Sequence, residues 1–222
     1  MSNITKADVR KLLRRLLLPE VTARGFVARK DGFGWFRVRG EFVDVFSVQV
    51  GRSASSLYLH YFVNLVANSV ADSLHGYRVG HRLDRHPGTG TIWVADSEEE
   101  LDRIVVSIWD AVETYAIPFL DGIRDLRDYV IEIVCDVNER PFEFDLMLAL
   151  AGLGKTNKVY WMCQSTLEHL SNGAEGGELD ALRDATVKLR EAVQGGEIGE
   201  LLRGWRRTKL EELGMPNAAG SI

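Results

Sequence analysis

The stretch ALAGLGKT, Ala149 to Thr156, has the spacing of a phosphate-binding loop with Ala in the first position. In such loops glycine-rich backbone amides cradle phosphates, the Lys reaches the terminal phosphates and the hydroxyl binds magnesium. That chemistry needs a buried strand before the loop, a helix after it and an acidic residue ending another strand. Here the preceding FEFDLMLALA reads as helix, and Val130–Asp136, an apolar run ending in Asp, reads as helix too. The context therefore predicts a turn between two helices, and no cofactor is assigned.

Asp31–Val38, DGFGWFRV, has the aromatic spacing of the octapeptide with which four-stranded RNA-recognition sheets stack bases. Its first residue is Asp where a base is usual, and the βαββαβ order of that fold is missing. A hairpin with aromatics in its core accounts for the same residues. His75, His81, Asp84 and His86 fall in one polar segment, but their spacing matches no helix-borne His pair or zinc finger. Ser, Cys and His are present without a nucleophile elbow or an activated-cysteine signature, so no catalytic or metal-ligating residue is assigned.

The remaining candidates are Ser47, Gln49, Tyr58, His60 and Asn64, whose grouping depends on the register of a sheet. Residues 33–39, 42–50 and 57–66 are dense in Val, Phe, Tyr and Leu and are separated by turn residues, which predicts three antiparallel strands. Gly40-Glu41 suits a type II′ turn, and sets Trp35 against Phe46, Arg37 against Asp44 and Arg39 against Phe42. A hairpin around Gly51–Ser56 sets Gln49 against Tyr58 and Ser47 against His60. Alternation then puts Trp35, Phe46, Val48, Leu57, Leu59 and Val63 on a core face. The five polar candidates share the other face with Phe36, Val38, Val43, Val45 and Phe62. Two readings stay open: a buried, mutually bonded network, or an open surface that recognises a ligand or partner strand.

The 222 residues, 45% hydrophobic and 27% charged, are those of an ordinary globular chain. No apolar run is long enough to span a bilayer, and the amphipathic N-terminus reads as a packed helix, so the expectation is a cytoplasmic protein with no membrane partner. Cys135 and Cys163 form no disulfide or zinc pattern. The net charge of −5 divides unevenly: residues 1–95 hold 14 Lys+Arg and 7 Asp+Glu, and residues 96–222 hold 13 and 25. The halves either attract each other or serve separate partners.

In chain order, Thr5 and Asp8 cap a helix ended by Pro19, and a short strand spans 25–30. The three strands follow, then a polar loop over 69–90 and a strand at 91–95. Ser97 with Glu100 starts a helix broken at Pro118, and a further helix is expected over 120–137. Asn138–Pro141 reads as a boundary between a sheet domain, 1–137, and a helical extension, 138–222, with helices over 142–151, 157–170, 178–194 and 197–213. The fold class is α+β: an antiparallel meander of about five strands flanked by helices, then an all-α C-terminal extension.

Gly25-Phe26, Phe36-Arg37, Gln49, Phe62 to Leu65, Arg78 to Arg82, Trp93 and Pro118 occur in an order that resembles an uncharacterised bacterial domain-of-unknown-function family over about residues 5–130. Val66 stands where Gly is common in that family, and the C-terminal helices exceed its short form. The resemblance implies the fold and no activity. The expected function is a non-enzymatic interaction protein of the bacterial immunity or antitoxin kind, binding a protein partner, basic in charge, through complementary electrostatics. The alternative is a nucleic-acid-binding module using the basic N-terminal half.

Overall fold

The computed structural model describes residues 4–51, 56–70, 79–83, 93–95, 97–135, 144–171 and 177–215. Its elements run α1 (Lys6–Leu16), α2 (Leu18–Ala23), β1 (Val27–Ala28), β2 (Gly34–Arg39), β3 (Phe42–Val50), β4 (Ser56–Leu65), β5 (Val79–Leu83), β6 (Trp93–Val94), α3 (Glu98–Ala111), α4 (Ile117–Gly122), α5 (Leu126–Cys135), α6 (Phe144–Gly152), α7 (Thr156–Ser171), α8 (Gly177–Gly195) and α9 (Ile198–Glu212). This is an α+β fold with an open antiparallel sheet in the order β1-β2-β3-β4-β5 and with β6 also paired to β4. Among the described residues no helix is long and apolar enough to cross a membrane.

The register follows from the first turn. Gly40 has φ +51, and among the described residues no non-glycine has positive φ, which leaves Glu41 on the negative side as a type II′ turn requires. Trp35 consequently stacks on Phe46 at 4.9 Å, and Arg37 Nε donates to Asp44 Oδ2 at 2.7 Å. Phe33 O accepts from Val48 N at 2.7 Å, continuing the same ladder. In the second hairpin Gly51 N donates to Ser56 O at 2.7 Å, while residues 52–55 lie outside the described residues. β1 pairs with β2 through Val27–Phe36 and Ala28–Trp35.

Four expectations are corrected. Pro19 does not end helical structure: it sits in the first turn of α2, where a missing N–H costs nothing. The segment 69–90 is not all loop, because Val79–Leu83 forms β5. Gly80 makes this pairing possible, since a Cβ there would collide with the Tyr61 carbonyl and with Phe62. Pro118 does not break its helix. A π-helical turn, Val112–Ala116, with Ile117 N bonded to Val112 O, widens the helix just ahead of the proline and carries α3 into α4. The helix expected over 120–137 is divided instead, and Asp125 caps α5 by accepting from the amides of Arg127 (2.7 Å) and Asp128 (3.0 Å).

The chain forms two compact units. The first takes Met1–Arg37, Val43–Val63 and Gly80–Gly122, and the second takes Val38–Phe42, Asn64–Val79 and Ile123–Ile222. In the first, α1 packs on α3, and Val9, Leu13, Trp35, Phe46, Leu59, Val105 and Ile108 are buried. In the second, α6 lies against α5, α7 and α9, and every described residue of it except Leu146 and Gly152 is buried. Asn68 Nδ2 donates to Asp145 Oδ1 at 2.8 Å and Asn68 Oδ1 accepts from Val70 N at 3.0 Å, fastening the chain after β4 to the first turn of α6.

Candidate functional site

The phosphate-loop spacing is spent on a helix cap. Leu153 N donates to Ala149 O (3.0 Å), Gly154 N to Ala151 O (2.9 Å) and Lys155 N to Leu150 O (2.9 Å), with Gly154 at φ +70. This is the Schellman arrangement, and it consumes the amides that a phosphate would need. The segment joins α6 to α7, two helices, with no strand before it.

The sheet candidates separate by burial. Gln49 is exposed, Ser47 and Tyr58 are half-buried, and His60 is 7% exposed. The Gln49 amide oxygen lies 3.1 Å from His60 Nε2 and accepts its proton, so a neutral partner orients the imidazole. These two side chains are diagonal neighbours on β3 and β4, and the fold brings them into contact. Tyr58 packs beside Gly51, where a Cβ would stand 3.5 Å from its ring. Asn64 belongs to the second unit and is buried. The face carrying these groups is apolar and closed at Val43, Val45 and Phe62, and Gln49 is the exposed member among the candidates.

The octapeptide aromatics point into packing: Trp35 and Phe36 are both buried, and Phe33 lies under the Arg10 guanidinium at 4.8 Å. His75, Asp84 and His86 lie outside the described residues, and among the described ones no group of three His, Cys, Asp or Glu is placed to hold a metal.

The charge division resolves into specific pairs inside the first unit. Arg15 meets Asp102 at 2.9 Å, Arg24 meets Glu113 at 2.7 Å, and Arg37 bridges Asp44 and Asp121 with its guanidinium 4.7 Å over Phe26. Part of the basic N-terminal surplus is thus met by α3, the π-helical turn and α4. The acidic surplus lies in residues 96–145, which hold 15 Asp+Glu and 4 Lys+Arg, leaving 10 and 9 for 146–222. Lys6, Arg10 and Arg14 form an exposed stripe at four-residue spacing on α1, without an ion pair among the described residues.

Two features of the second unit escaped sequence reasoning. Trp161 on α7 is 71% exposed, with Asn157, Lys158, Ser165 and Glu168 exposed on the same side, and the Tyr160 ring stands edge-on to it at 5.7 Å. The signal was available, because Val159, Cys163, Thr166 and Leu170 define the buried stripe and place Trp161 opposite it. Arg206 on α9 is 5% exposed and donates to Glu41 Oε1 at 2.9 Å. Its signal was an arginine at the four-residue spacing of Leu202 and Leu210. No family model, curated protein or solved structure matches the chain.

Proposed function

We propose that this is a non-enzymatic cytoplasmic interaction protein, of the bacterial immunity or antitoxin kind, that binds a protein partner through the exposed side of α7. The observation that carries this reading is Trp161. A tryptophan side chain offers roughly 200 Å² of contact area. Covering the exposed 71% of it in an interface recovers about 3.5 kcal/mol at about 25 cal/mol per Å². The Tyr160 edge contact restrains the indole beforehand, which lowers the ordering cost of binding. A central tryptophan ringed by Asn, Ser, Lys and Glu has the composition of an interface anchor with a polar rim. Few carboxylates are in surplus in 146–222, so the anchor carries this proposal more than the charge does. The test is capture from the native host by wild type and by Trp161→Ala: a species taken by the first and lost by the second at equal melting temperature supports the reading, and undiminished capture overturns it.

The second reading, a nucleic-acid-binding surface, is favoured by the Lys6–Arg10–Arg14 stripe, whose groups recur about every 6 Å along the helix. Salt-sensitive RNA or DNA binding lost on replacing all three by Ala would select it.

A further inference from the structure

In the second unit a cleft of about 210 Å³ is lined by Leu65, Ala67, Leu126, Leu148 and Leu202, with Glu41, Arg203 and Arg206 as its charged groups. Gly152 and Gly199 also line it, and a Cβ at Gly152 would stand 2.5 Å from Leu126 Cδ1, so the glycine keeps this space open. The charges are unequal. Arg206 is committed to Glu41 at 2.9 Å, whereas Arg203 is exposed and makes no ion pair among the described residues. Two guanidinium groups against one carboxylate leave the lining with one positive charge, held beside a wall of leucines.

We propose that this cleft binds a small monocarboxylate with an aliphatic or phenyl tail. One uncompensated guanidinium matches one carboxylate, which it holds through two parallel N–H···O bonds. The leucine wall demands an apolar tail, because a polar group buried there loses its water without gaining a partner. Size sets the tail: an apolar cavity of about 150 Å³ takes benzene, so this cleft suits a phenyl ring or a chain of about six carbons. A dianionic phosphate ester would place its second charge beside the Glu41 carboxylate, which repels it. This site is independent of the α7 surface proposed above.

The experiment is a calorimetric titration of the full chain with hexanoate and with its neutral isostere, hexanamide. Hexanoate is expected to saturate with a Kd below about 1 mM. Hexanamide is expected to bind about tenfold more weakly, the worth of a charge-assisted contact. Arg203→Gln should weaken hexanoate about tenfold and leave hexanamide unchanged. Leu202→Trp, at the half-buried mouth, should abolish both while the protein still melts cooperatively. Absence of saturable hexanoate binding to wild type overturns the proposal. So does equal affinity for acid and amide, or wild-type hexanoate affinity in Arg203→Gln, a surface change that does not threaten folding.

Discussion

Replacing Arg37 by Ala should be among the most destabilising single changes in the sheet unit. Its Nε donates to Asp44 at 2.7 Å, its Nη2 to Asp121, and its guanidinium lies 4.7 Å over Phe26. Asp44 is fully buried, and the Arg37 side chain is 13% exposed, so screening by water is slight. Removing one partner of such a pair costs about 3–5 kcal/mol, most of it the penalty of a buried carboxylate that has lost its cation. For a chain of this size that lowers Tm by roughly 6–20 °C, taking about 2–4 °C per kcal/mol. Urea melts of wild type, Arg37→Ala, Asp44→Leu and the double variant Arg37→Met/Asp44→Leu form the cycle. The double variant should recover most of the loss, since an apolar pair of similar volume suits the site. Arg37→Lys should remain well below wild type, because an ammonium group cannot fork to Asp44 and Asp121 together. A loss under about 1 kcal/mol for Arg37→Ala, typical of an exposed pair, would refute this reasoning.

Burial pushes the Cys163 thiol up to about 11, so at pH 8 a disulfide reagent should titrate one thiol, the exposed Cys135, in native protein and two in denaturant. Because the folded value lies above the unfolded one, the stability linked to Cys163 is complete below about pH 9 and falls as pH rises toward 11. Thr5→Ala should cost about 1 kcal/mol of α1 stability by thermal melt. Hydrogen bonds from the Thr5 side chain and backbone hold the Asp8 carboxyl below its ordinary range, so this capping contribution is present at neutral pH and fades as pH falls through that depressed value. Lys155→Ala should leave melting unchanged and ATP with magnesium should give no heat, since the loop amides already serve the helix cap; micromolar ATP binding would contradict this. Gly80→Ala should lower Tm by several degrees, as its Cβ has no room against Tyr61 and Phe62.

The sheet was legible because one turn determined it. Glycine at the first turn position selects the type II′ geometry, and every pairing from Trp35–Phe46 to Arg37–Asp44 follows by counting. Periodicity also placed α6 to α9 within one or two residues. Composition failed where it conflicts with context. β5, VGHRL, reads as polar loop, and its Gly80 is a strand residue only because another backbone passes against it. Pro118 reads as a stop, but a π turn absorbs it, and that adjustment has no residue signature. For the site candidates, register grouped Gln49 with His60, whereas burial separates exposed Gln49 from buried Asn64, and burial depends on what covers a face. Charge counts located the surplus but not its pairing: Arg15, Arg24 and Arg37 find carboxylates 84 to 89 residues away.

The central claim, that α7 binds a partner through Trp161, is tested most directly by the dissociation constants of wild type and Trp161→Ala for the captured partner. The roughly 3.5 kcal/mol expected from covering the indole corresponds to about 300-fold weaker binding, with Tm unchanged because the side chain is exposed in the free protein. Affinities within about threefold of each other, at equal Tm, would contradict the account.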